Sequence, residues 1–228
     1  MCFSAEVSFA SAAVLLPAGA IAAHKASKTN RRYLPIAVLP FLFGLQQLFE
    51  GFVWMGGSWA SEDMVRRFSM AYMFFSWLAW PVWVPYSTYF LEPCRRRHVY
   101  LLFAILGGML GALQYVPYFA HDGWLETTFL PHVIVYGGNV LFDLIMRREF
   151  TYAIYLFVIT APLLTSSDPH ARIFGLLITG VALTTYAFFA YAHISVFCFG
   201  GALMSLYIVW WMWDAAEPRQ HNATPVAV

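Results

Sequence analysis

The chain has 228 residues, of which 61% are hydrophobic, 19% aromatic and 11% charged, with a mean hydropathy of +0.63. A soluble domain carries about 25% charged residues, so this composition excludes an ordinary water-soluble fold. The net charge of +1 forms no basic stripe, which leaves nucleic-acid binding without a footprint.

A bilayer-crossing helix needs roughly 20 apolar residues. Such stretches fall at about 8–24, 33–55, 68–91, 99–118, 150–166, 173–190 and 193–213. They predict an all-α polytopic membrane bundle of seven transmembrane helices, 1–213, followed by a flexible polar tail, 214–228. The opening "MCFSAEVSF" has Glu6 where a secretory leader needs basic residues, so the first helix is expected to stay. Cys2 precedes its hydrophobic stretch, which argues against lipidation.

Charge and turn clusters separate the spans: "HKASKTNRR", "GGSWASED", "EPCRRRH", "AHDGWLETTFLPH" and "SSDPHAR". Lys25, Lys28, Arg31 and Arg32 follow the first span and Arg95, Arg96 and Arg97 the third. The positive-inside rule then places the N-terminus outside an inner membrane and the tail in the cytoplasm. Arg147 and Arg148 fall outside and oppose that bias.

Two β-rich runs, "HVIVY" and "NVLFDLI", flank Gly137 and Gly138. They read as an extramembrane hairpin over 132–145 turning at the glycines. The alternative is an eighth span, which moves both arginines inside. The tryptophans in "SWLAWPVWVPY" and "VWWMWD" are expected to anchor at the interface. The glycines of "LGGMLGAL" read as helix-packing positions.

An ionisable side chain inside a membrane costs at least about 2.5–3.5 kcal/mol and faces the bundle interior. In "FGLQQLFEGFVW", Gln46 and Glu50 share a helical face, with Gln47 adjacent and Trp54 a turn beyond. Such a carboxyl binds a cation, relays a proton, or ties helices together. In "HISVFCFGGALMS", His193 opens the last span and Cys198 follows, with Gly200 and Gly201 permitting close helix approach. Seven crossings place the start of the first span, the end of the second and the start of the seventh on one side. Glu50 then lies ~9 Å deep and Cys198 ~7.5 Å deep at 1.5 Å per residue.

Cys2, Glu50, His193 and Cys198 therefore share one expected layer. Thiolate, imidazole and carboxylate suit Zn, and thiolate with imidazole suits Cu. The same thiols alternatively form a disulfide in an oxidising compartment. Gln46, Gln47 and Trp54 complete the expected ligand site. Three functions stay open: a metal or thiol-redox site, a cation- or proton-coupled transporter or channel using Glu50, Gln46 and Gln47, and an accessory or scaffold subunit. The expected partners are the lipid bilayer and a small ion or small-molecule ligand. HExxH, GxSxG, CxxC and phosphate-loop signatures are missing, and no span holds a lysine for a retinal Schiff base.

"MCFSAEVSF", "FGLQQLFEGFVW", "YLFVITAPLLTSSDPHARIFG" and "ISVFCFGGALMS" together resemble an uncharacterised bacterial family of multi-pass membrane proteins whose chains begin Met-Cys-Phe-Ser-Ala. The likeness runs the full length and departs from that family at Phe197, Gly200 and Gly201. It implies the fold and marks Cys2, Ser4, Gln46, Gln47, Glu50, Trp54 and Cys198. It implies no activity.

Overall fold

The structure is a computed structural model, and it describes residues 4–138, 141–144 and 146–214. The expected tail therefore lies outside the described residues except for Asp214, as does Cys2.

Helix α1 (Ala5–Thr29) turns through Arg31–Tyr33 and Leu34–Ala37 into α2 (Leu39–Ser58). The two cross closely because Gly19 and Gly44 stand at the contact. A Cβ on Gly19 would come within 2.2 Å of the Phe41 nitrogen.

The third apolar stretch is helical but irregular. It runs as α3 (Glu62–Met73), a π-helical segment over Phe74–Ala79, and α4 (Trp80–Leu91). The wider winding is visible in the bond from the Trp80 amide to the Phe75 carbonyl, one residue longer than α-helical spacing. Helix α5 (Arg97–Tyr115) lies directly against this irregular rod. A Cβ on Gly107 would meet the Pro81 carbonyl oxygen at 1.9 Å, and one on Gly111 the Trp77 carbonyl oxygen at 2.4 Å.

After Pro117–Ala120, strands β1 (Leu125–Leu130) and β2 (Val133–Gly138) pair antiparallel, with Leu130 opposite Val133. The expected hairpin exists, but its register is corrected. "HVIVY" pairs backwards with "LETTFL", and the turn is Pro131-His132 rather than Gly137-Gly138. Gly138 instead ends the ribbon at φ +113°, where a Cβ would strike the Trp124 carbonyl oxygen. "NVLFDLI" is no strand where it is described: Leu141–Leu144 is a single 3-10 turn.

The chain closes with α6 (Arg148–Leu164), α7 (Pro169–Phe189), a 3-10 break over Ala190–Ala192, α8 (His193–Met204) and α9 (Leu206–Asp214). Helical segments thus occupy every apolar stretch read from the sequence. Four of them, Ala5–Thr29, Arg31–Ser58, Arg97–Ala120 and Pro169–Asp214, are long and apolar enough to cross a membrane. The remaining expected spans differ for physical reasons. The third is interrupted by the π segment, α6 is 17 residues long, and the sixth and seventh are joined in one 46-residue stretch.

Several tryptophans are core residues rather than anchors. Trp77, Trp80 and Trp211 are 3%, 2% and 1% exposed, which corrects the interfacial expectation for these three. Trp213 is exposed, with the Lys25 ammonium 4.4 Å from its ring centroid.

One end of the bundle gathers the basic loops. Arg32 pairs with Asp168 at 3.7 Å, and Arg96 donates to Ser167 Oγ at 3.2 Å. The centre of this end is Glu92, 2% exposed. Its carboxylate accepts from Ser166 Oγ at 2.7 Å, Ser167 N at 2.5 Å and Ser167 Oγ at 2.6 Å. It thereby pins the α6–α7 turn onto the end of α4. Replacing Glu92 by Ala strands three donors and, at about 1.5–3 kcal/mol for a bond to a charged group, is expected to cost about 3 kcal/mol or more. Thermal unfolding in detergent measures this, and Glu92→Gln should recover part of the loss.

Candidate functional site

At the opposite end, the hairpin end, α2 carries three polar side chains into the interior. Gln46 and Gln47 are each 0% exposed and Glu50 is 3% exposed. Burying such groups is tolerable only when they are paired, and the pairing shows how the helices are tied. Gln46 Nε2 donates to Ser76 Oγ at 3.0 Å, while Gln46 Oε1 accepts from Trp80 Nε1 at 3.1 Å. Glu50 Oε1 accepts from Ser195 Oγ at 2.5 Å, which joins α2 to α8. Ser8, Gln47 and Tyr72 are further polar neighbours of this carboxyl. Both amide atoms of Gln47 lack a hydrogen-bond partner among the described residues.

Ser76 is the junction, and the π segment presents it. Its hydroxyl lies 3.4 Å from Cys198 Sγ, and its main-chain carbonyl accepts from Tyr155 Oη at 2.5 Å. A carbonyl released from α-helical bonding is thus taken up by a side chain of α6. The Ser76 hydroxyl also lies 3.4 Å from the Tyr72 carbonyl oxygen, so five elements, α2, α3, the π segment, α6 and α8, meet at this residue.

The depth argument is consistent with the contacts. Ser8 of α1, Glu50 of α2 and Ser195 of α8 lie together, and the Phe9 ring packs on Phe52 at 5.4 Å. Cys94 is exposed at the basic end, far along the fold from this layer. The expected metal set fares differently. Cys2 lies outside the described residues, Glu50 is bonded to Ser195, and Cys198 contacts Ser76. His193 turns away, with Nδ1 3.0 Å from the Ala190 carbonyl oxygen and its ring against Tyr152 at 4.2 Å. Among the described residues no three His, Cys, Asp or Glu side chains gather as a metal would need. Trp54 is also separate: it packs on Phe129 of the hairpin at 5.8 Å, not on Gln46 or Gln47.

His193 and Cys198 do share a cavity. A space of about 450 Å³ descends from Arg148 and Glu149 at the rim to Ser76 and Cys198 at the floor. Its walls come from α6, α7, α8 and β2, and Tyr136, Tyr152, Tyr155 and Phe197 supply much of the surface. Tyr136 also stacks on Tyr72, ring centroids 4.7 Å apart, so the hairpin roofs the cavity and touches the Glu50 layer through one aromatic pair.

Three buried polar atoms of cavity-lining residues have no hydrogen-bond partner among the described residues: Trp77 Nε1, Tyr136 Oη and His193 Nε2. Tyr118 is a polar neighbour of Trp77 outside bonding geometry. Trp77 and Tyr136 are 3% and 5% exposed, so water at the protein surface does not satisfy them. Orphans of this kind are uncommon in folded proteins, and here they also occur away from the cavity, on Gln47, Tyr72, Gln114 and Thr151.

The sequence reading missed Ser76, Ser195, Tyr72, Trp80 and Tyr136. A serine inside an apolar run such as "FFSWLAW" is the available signal, since it must find a partner in hydrocarbon.

No curated protein and no solved structure matches the chain. The match that does exist runs over residues 1–223, and by it the chain belongs to a family of unknown function (DUF6629).

Proposed function

We propose that this is an integral membrane protein that binds a small molecule in the cavity beneath its hairpin. The observation that carries the reading is the space of about 450 Å³ itself, walled by Tyr136, Tyr152, Tyr155 and Phe197 with Arg148 and His193 among its polar residues. A mostly aromatic cavity with a few convergent polar groups is the usual form of a small-molecule site. Ser76 and Cys198 form its floor.

In this reading the bundle crosses the bilayer seven times, with the basic end in the cytoplasm. Lys25, Lys28, Arg31, Arg32, Arg95, Arg96, Arg97 and Arg172 belong to the basic end, eight cations against Arg66, Arg67, Arg147 and Arg148 at the hairpin end. The bias required for orientation survives the four. A second reading, a cation- or proton-coupled carrier, draws support from Glu50, a buried carboxyl beside Gln47, whose amide atoms are partnerless. It predicts proteoliposome flux that Glu50→Gln abolishes; flux indifferent to that change removes it.

Orientation is checked at Cys94. A membrane-impermeant maleimide is expected to label it in inverted vesicles and not in intact cells, and labelling of intact cells reverses the assignment.

The site is checked at Tyr136. An unpaired buried hydroxyl costs about 1–3 kcal/mol, so Tyr136→Phe is expected to leave the ligand-free melting temperature unchanged or higher. A loss of about 1 kcal/mol or more would mean that the hydroxyl is bonded within the folded protein. In parallel, protein extracted with its lipids in polymer-bounded discs should release a bound small molecule detectable by mass spectrometry. Ala182→Trp, which fills the cavity, should release none.

A further inference from the structure

The turn from α4 to α5 carries "EPCRRRH", and its three arginines are not equivalent. Arg96 is committed to the α6–α7 turn, donating to Ser167 Oγ at 3.2 Å and to the Thr165 carbonyl. Arg97 opens α5 and uses Nε, which donates to the Glu92 carbonyl at 2.9 Å, while its guanidinium carbon lies 5.5 Å from the centre of the Tyr89 ring. These two contacts hold the group, and neither terminal nitrogen has a partner among the described residues. Arg95 is exposed and makes no hydrogen bond or ion pair among them. A guanidinium held through Nε presents its outer N–H groups as a fork, the shape that meets two oxygens of a phosphate.

The acids nearby are already used. Glu92 is buried with its carboxylate taken by Ser166 and Ser167, and Asp168 is buried and paired with Arg32. Neither turn therefore offers an exposed carboxylate to receive an ammonium, so a phosphate without an attached amine fits better than a zwitterion. Lys28, Arg31 and Arg172 are likewise exposed and uncommitted at this end among the described residues, and their field favours anions.

Beyond the arginines the surface changes character at once. Leu101 lies one turn after Arg97 on the same face of α5, and Ile105 one turn further. Both are exposed, as are Val99, Leu102 and Leu106, while Gly107 and Gly111 press another face of the helix onto the irregular rod. The distance from Arg97 to Ile105 is roughly 12 Å at 1.5 Å per residue. Cationic nitrogen followed over that length by exposed hydrocarbon is the profile of a phospholipid, whose phosphate stands at the end of its acyl chains.

We infer that the α4–α5 turn and the outer face of α5 bind an anionic phospholipid, its phosphodiester on Arg95 and Arg97 and its acyl chains along Leu101 and Ile105. This rests on the membrane placement proposed above and not on the cavity. It adds a lipid partner of defined charge at a defined place.

The test uses the full chain in detergent and native mass spectrometry, titrating phosphatidylglycerol and phosphatidylcholine of identical acyl chains. Phosphatidylglycerol should bind more tightly, and Arg95→Gln and Arg97→Gln should each weaken it about fivefold, the equivalent of about 1 kcal/mol per basic side chain at an anionic surface. Arg95 has no partner to lose, so Arg95→Gln should keep the melting temperature of the unsubstituted protein. Arg97→Lys, which keeps the charge and loses the fork, should weaken binding less than Arg97→Gln. Arg66→Gln and Arg67→Gln at the hairpin end remove equal charge and should leave the preference intact.

Equal binding of the two lipids, or equal weakening by the hairpin-end substitutions, would overturn the inference. Displacement of phosphatidylglycerol by inorganic phosphate at the same concentration would assign the arginines to a free anion and overturn the lipid. Alkaline carbonate extraction separates these results from the reading beneath. Release of the protein from membranes would overturn the membrane placement and the inference with it, whereas retention with any of the preceding failures would overturn the inference alone.

Discussion

The interior of this molecule depends on where the hydrogen bonds of Ser76 go. In hydrocarbon no water is available to satisfy a loose backbone or hydroxyl group. A π-helical segment frees carbonyls from the regular ladder, so it persists only where neighbouring side chains collect them. Here Tyr155 takes the Ser76 carbonyl and Gln46 donates to its hydroxyl. The irregular winding over Phe74–Ala79 is thereby held by α2 and α6, and in return it fixes the spacing of both. Glycine at positions 107 and 111 lets α5 lie on the same rod, so the least regular helix is also the most closely embraced.

From that junction the polar layer divides into two parts with different characters. The Gln46 branch is saturated: its amide meets Ser76 and Trp80, and it acts as interhelical binding material. In the Glu50 branch the carboxyl is bonded to Ser195 with Ser8, Gln47 and Tyr72 around it, and the Gln47 amide atoms have no partner in close bonding geometry among the described residues. The cavity side likewise retains unpaired atoms on Trp77, Tyr136 and His193. Polar pairing is therefore denser on the α2–α4 side than along the cavity walls of α6, α7 and α8.

Much of this arrangement was legible in the residues. Every apolar stretch is helical, and four of these helices are long and apolar enough to cross a membrane. Counting crossings set Glu50 level with Cys198 on the last apolar stretch; the contact observed from that stretch is Ser195 to Glu50. Other parts were not legible. Gly137-Gly138 resembles a two-residue turn, yet "LETTFL" alternates as well as "NVLFDLI" does, and only tertiary contacts choose between them. Tryptophan in an apolar sequence reads as an interfacial anchor, so nothing marked Trp77 and Trp80 as core residues, or Trp80 as a donor to Gln46. Glu92, inside the charged run "EPCRRRH", looked like loop and proved to be the clamp of the basic end.

The hairpin has a consequence for how the cavity is put together. A two-stranded ribbon is marginal by itself, and this one leans on the bundle through Tyr136 on Tyr72, Thr127 on Ser69 and Phe129 on Trp54. Those supports belong to α2 and α3, whereas β2 also meets α8 at the far end of the chain. The roof therefore has no complete seat without α8, so the cavity needs residues spread from the π segment to α8 and cannot be built from any short contiguous part of the chain.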